Sequence, residues 1–207
     1  MLSYSTPSHL QHFELTVKRS RFITSIHHVC SAAEAKQFIT LIKTQHPDAS
    51  HHCWASITGR PDESHGVDQS DDGEPKGTAG KPMLNVLQHN NVGNIIVVVS
   101  RYFGGIKLGA GGLVRAYSGS VSEALTHLQT REQFILQNIT IQLPYSLFPK
   151  LEYLLAQHGV KILNKQFDKE VTLEIGVAKN ALDAFCETLL DSGNGQIKII
   201  SPTKMSK

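Results

Sequence analysis

The stretch IIVVVSRYFGGIKLGAGGLVRAY, Ile95 to Tyr117, decides the fold. Ile95 to Val99 are apolar at five consecutive positions, as expected of a strand covered on both faces. Five glycines (Gly104, Gly105, Gly109, Gly111, Gly112) then fall within nine residues, where the chain can take positive φ or let another backbone approach closely. Leu113, Ala116, Tyr117, Val121, Ala124, Leu125 and Leu128 follow on one helical stripe. A buried strand, a glycine loop and a helix packed back on the sheet form the centre of the molecule.

The same stretch carries the chemistry. Unpaired N–H groups at a helix start, together with the helix dipole, favour an anion. Arg101 and Lys107 flank the loop, and Arg115 is placed in the first helical turn. A cation there is tolerated best when a phosphate lies between it and the amides. Tyr102 and Phe103 stand beside these bases, where stacking on nucleobases is available. The expected phosphate- or nucleic-acid-binding set is Arg101, Tyr102, Phe103, Gly104, Gly105, Lys107, Gly109, Gly111, Gly112 and Arg115. The alternative is a loop whose glycines serve helix–sheet packing, with bases exposed for solubility.

Outward from this centre, Phe13–Val17 and Arg21–Val29 have strand patterns, and Ser31 with Glu34 forms a capping box opening a helix to about His46. Cys53–Thr58 predicts a strand, Gly59–Lys81 a long polar loop, and Pro82 the first turn of a short helix reaching Gln88. Beyond residue 135 the order is strand, helix, two strands, helix, strand, the ferredoxin-like βαββαβ pattern. The expected fold class is α+β in two domains, residues 1–135 and 136–207.

Hydrophobic residues make up 40% and charged residues 18%, ordinary for a globular protein. No apolar run approaches the roughly 20 residues that span a bilayer, and the N-terminus has no signal-peptide pattern. The expectation is a cytoplasmic protein with no membrane partner. Three scattered cysteines give neither a disulfide framework nor a zinc pattern. Adjacent His51 and His52 point to opposite faces of a strand, so no metal site is expected there, and no cofactor is expected. Neither the P-loop nor the EF-hand spacing is met, and no G-x-S-x-G elbow exists.

Charge is unevenly spread. Asp62, Glu63, Asp68, Asp71, Asp72 and Glu74 lie together without Lys or Arg. From Pro75 to Ser122 there are Lys76, Lys81, Arg101, Lys107 and Arg115 and no acid. The acidic turn is expected to meet the basic loop through salt bridges rather than to hold a metal.

The motifs SRF (Ser20–Phe22), HHCWA (His51–Ala55), DDGEPKGTAGKP (Asp71–Pro82) and RYFGGIKLGAGGLVRAY (Arg101–Tyr117) resemble those of the YigZ/IMPACT family. The resemblance implies an N-terminal α/β domain like the second domain of ribosomal small-subunit protein five, then a ferredoxin-like domain. This resemblance extends to the last two domains of elongation factor G, which share those folds in that order. The family resemblance also marks Asp71, Asp72, Glu74, Thr78 and Lys81 as a second loop of interest. The resemblance implies eukaryotic relatives that regulate translation under amino-acid starvation by protein–protein contact and carry a different additional domain, so their partner is not carried over to this chain. The first functional expectation is a non-enzymatic, translation-linked protein binding RNA or the ribosome. Two alternatives stand beside it: an enzyme or binding protein for a phosphorylated small molecule or nucleotide, and a module that docks a protein partner.

Overall fold

A computed structural model describes residues 3–62 and 66–202; Glu63, counted above among the acids, lies outside them. Tyr4–Gln133 form one compact unit, and the residues from Phe134 onward, with Ser3, form a second. The protein is α+β.

Apart from Ser3 and Phe134 at their ends, β1 (Ser3–Pro7), β2 (Gln11–Val17), β3 (Ser20–His28), α1 (Ala32–Gln45), β4 (His51–Ile57), β5 (Val67–Ser70), α2 (Gly80–Gln88), β6 (Ile95–Tyr102), α3 (Ala110–Thr126) and β7 (Thr130–Phe134) lie in the first unit. Five strands form an antiparallel sheet in the order β2-β3-β6-β4-β5, and β1 pairs with β7 separately. β6 is central and apolar on both faces because both are covered. Ile96 and Val98 pack with Ala35, Phe38 and Ile42 of α1. Ile95, Val97 and Val99 pack with Met83 and Leu87 of α2 and with Leu113, Ala116, Tyr117 and Val121 of α3. Ser31 caps α1 by accepting the Glu34 N–H at 3.2 Å, while the Glu34 carboxylate reaches the N–H of Cys30 at 2.8 Å.

Two sequence expectations need correction. The stretch 59–81 is not all loop, since β5 pairs with β4 from Trp54↔Ser70 to Ile57↔Val67. This edge strand, VDQS, has one apolar residue and no buried face, so hydrophobic periodicity is silent about it. Second, α3 opens at Ala110, with Gly109 at φ 71° as its N-cap, so Arg115 lies in the second turn, not the first. Helix propensity places the start after the glycines, but the tertiary frame pulls Gly111 and Gly112 into the helix.

The second unit runs β8 (Leu136–Leu143), a 3₁₀ turn (Tyr145–Leu147), α4 (Phe148–Gln157), β9 (Lys161–Phe167), β10 (Val171–Ala178), α5 (Leu182–Ser192) and β11 (Lys198–Pro202). Its sheet order, β11-β8-β10-β9, all antiparallel, is the ferredoxin-like arrangement. Alternate residues Ile139, Ile141 and Leu143 of β8 and Val171, Leu173 and Ile175 of β10 meet Leu151, Leu155, Phe185 and Leu189 of the helices in its core.

Candidate functional site

Asp71 sits where the chain leaves β5 and accepts three backbone N–H groups, from Gly77 (2.7 Å), Ala79 (3.0 Å) and Gly80 (2.9 Å). It anchors the start of α2. Partial burial works to raise its pKa, but these three donors outweigh it and hold the carboxyl below the ordinary range. Asp72 binds Lys43 at 2.8 Å and the His52 N–H at 2.7 Å, and it too is held low against the effect of burial. Thr78 is buried, its hydroxyl donating to the Pro75 carbonyl at 2.6 Å, whereas Lys81 is exposed. Among the described residues no three His, Cys, Asp or Glu side chains gather as a metal cage.

Glu74 and Arg101 make the expected bridge between the acidic turn and the basic loop, at 2.6 Å. The pair is buried, with 8% of Glu74 and 6% of Arg101 exposed. Tyr117 donates to the same Glu74 Oε1 at 2.8 Å, and the Arg101 guanidinium lies 5.7 Å from the rings of both Phe22 and Phe103. Arg101 is therefore not a solvent-facing cation, which corrects its place among the phosphate-contacting bases. Strand geometry explains the difference. Arg101 is still inside β6, opposite Phe22 on β3 and His51 on β4, so its neighbours enclose it.

Two further residues complete this polar core. His51 donates from Nδ1 to the Asp72 carbonyl at 2.9 Å, which accepts only, and turns Nε2 toward Glu74 Oε2 at 4.0 Å. Burial pushes the Cys53 thiol up to about 12 and raises Tyr117 as well, so neither is a nucleophile near neutral pH. His52 faces the other way, bonding Ser100 Oγ at 2.9 Å, and burial lowers its pKa.

The solvent side of the site is the open end of α3. No side chain caps the helix and no acid stands in its first turn. The first intrahelical bond is from Leu113 to the Gly109 carbonyl, which leaves the N–H groups of Ala110, Gly111 and Gly112 without intrahelical partners. Lys107 and Arg115 are exposed and make no ion pair among the described residues. Arg115 starts one turn in, yet its Nη1 reaches back to 3.8 Å from the point where a Cβ on Gly111 would stand. Phe103 is 52% exposed, while Tyr102 is half-buried with its hydroxyl bonded to His46 at 2.9 Å. Gly105 and Gly109 take φ of 81° and 71°, and Gly104 presses on the backbone of Arg19, where a Cβ would come within 2.1 Å.

A cavity of about 450 Å³ lies between the acidic turn and α3, with Glu74, His51, Arg101, Phe103, Lys107 and Ala110 among its walls. The four motifs quoted above are far apart in sequence and meet here, through Phe22, His51, Glu74, Arg101 and Tyr117.

Residues 18–125 match the Impact N-terminal domain, and residues 141–196 match a domain of unknown function, DUF1949. An IMPACT family member of Haemophilus influenzae is 39% identical over 199 residues, spanning 96% of this chain and 97% of that protein. The chain belongs to the IMPACT family. The family member YigZ of Escherichia coli is 42% identical over 185 residues, covering 89% of this chain and 91% of its own. A crystal structure of a hypothetical protein superposes with a TM-score of 0.83 at 38% identity, over the full length of both chains. In this IMPACT-family chain both site loops fall inside the matched Impact N-terminal domain. The roles of Tyr117 and His51 were missed in the sequence. Tyr117 reads only as part of a buried helical stripe, and nothing local marks its hydroxyl as a partner for Glu74.

Proposed function

We propose that this protein binds single-stranded RNA, on the ribosome or free, in a translation-linked regulatory role without catalysis, and that it does so in the cytoplasm. One observation carries the reading. The Arg115 guanidinium folds back over the uncapped first turn of α3, Lys107 lies exposed in the loop just before that turn, and neither makes an ion pair among the described residues. Positive charge at the positive end of a helix is unfavourable alone and favourable around a phosphate. Exposed Phe103 adds an aromatic face at the rim for base stacking. Among the described residues no helix is long and apolar enough to cross a membrane.

The test is co-sedimentation with ribosomes and ribosomal RNA across a salt series, beside a Lys107→Ala/Arg115→Ala double variant. With Arg101 committed to Glu74, two bases remain to neutralise phosphates. At about −0.7 per phosphate on single strands, the expected log–log salt slope is about −1.4, and the double variant abolishes it. Absence of binding by the folded protein at low salt would sink the proposal.

A further inference from the structure

The buried ion pair inside the site is only half used. Glu74 Oε1 accepts from both Arg101 and Tyr117, whereas Oε2 accepts no hydrogen bond among the described residues and lies 4.0 Å from His51 Nε2. The Glu74 side chain is only 3% exposed, so a donor reaching Oε2 from the cavity would complete its bonding, and beside it Arg101 Nε is buried without a hydrogen-bond partner. Glu74 lines the cavity, as do apolar Leu108, Leu113 and Phe103, and its volume lies within the range of about 300–1,000 Å³ usual for small ligands. Gly111 offers a second, independent sign. It has ordinary helical φ, and a Cβ there would meet nothing nearer than Arg115 Nη1 at 3.8 Å. The fold does not require glycine at this helical position, where it costs about 0.5–1 kcal/mol against alanine. A bare backbone there suits close approach by another molecule.

We propose that the cavity receives one unpaired nucleobase bearing an amino group, whose N–H donates to Glu74 Oε2 while its phosphate rests on the open end of α3. The chemistry selects this class. Arg101 already balances the Glu74 charge, so a second cation is unwelcome and a neutral N–H donor fits. The apolar walls take a flat ring, and Phe103 at the mouth is placed to stack on it. The anion belongs outside, at Lys107, Arg115 and the amides of Ala110 to Gly112. Carboxylates accept from the cytosine N4 amino group, and uracil carries a carbonyl oxygen at that position. The inference rests on the RNA reading above and adds base selection to it.

The experiment is fluorescence anisotropy of the full chain with short single-stranded oligocytidine and oligouridine at low salt. Two variants accompany wild type: Glu74→Gln, which replaces the acceptor, and Ala110→Trp, which fills the cavity from an exposed position if Glu74→Gln does not fold. Wild type is expected to bind oligocytidine about tenfold more tightly, the effect of one hydrogen bond to a charged group. Each folded variant is expected to reduce that preference to parity. Equal, salt-sensitive affinity for both oligonucleotides, or a preference that survives Ala110→Trp, would overturn base selection and leave phosphate binding standing. Failure of folded wild type to bind either oligonucleotide would overturn both readings together.

Discussion

Residues of the same type do different work in this loop, and burial decides which. Arg101 is inside the sheet and paired, so Arg101→Ala leaves Glu74 buried and uncompensated. Thermal or denaturant unfolding should register a loss of about 3–5 kcal/mol. Arg115 is exposed and reaches back over the helix start. Arg115→Ala should lower RNA affinity about tenfold, one charge-assisted contact, with the melting temperature unchanged. A fall in melting temperature without a binding defect would remove Arg115 from the site. The glycines divide in the same way. Gly104 has no room for a side chain, whereas a Cβ on Gly111 would make only an ordinary contact with Arg115 Nη1, at 3.8 Å. Gly111→Ala should stabilise the fold by up to about 1 kcal/mol by helix propensity while weakening anion binding, a pairing of opposite signs that a purely structural glycine would not give. The sequence marks all five glycines alike, because residue type does not say what stands across from each one.

At the scale of elements, the acidic turn makes the start of α2 and the edge of β4 depend on pH. Asp71 and Asp72 are held low in the folded protein, so the unfolded chain takes up protons first as pH falls below about 4. The burial of His52 acts in the same direction from about pH 6.5 downward, since the unfolded chain charges that ring more readily. Stability should therefore be full near pH 7, begin to decline near 6.5 and fall further below 4. Urea unfolding at a series of pH values checks the curve. In Asp71→Asn the step below pH 4 should shrink, and hydrogen exchange at Ala79 and Gly80 should quicken. A curve flat between pH 7 and 3 would contradict the roles given to these carboxylates. Helices α1 and α3 are legible in the sequence, because each has a cap or a long apolar stripe. β5 is not, because an edge strand that buries no side-chain face leaves no periodic trace.

At the scale of the whole molecule, the two units have separate cores, and every residue of the candidate site lies in Tyr4–Gln133. Leu173 is fully buried in the second core. Leu173→Ala should cost that unit about 2–5 kcal/mol and leave the RNA affinity of the folded chain unchanged. An affinity that falls with it would assign the ferredoxin-like unit a share in binding. By itself the sequence determined the α+β order of elements, the doubly covered strand, the glycine loop and the segregation of charge, since each is a local pattern of residue types along the chain. The tertiary structure alone decided that Glu74 lies on Arg101 and Tyr117, that His51 turns toward them, and that Lys107 and Arg115 are, of the three bases in the glycine segment, the two left to solvent. Periodicity reports which face of an element is buried. Which side chains meet across 27 or 43 residues depends on strand register and helix packing, and those belong to the folded chain.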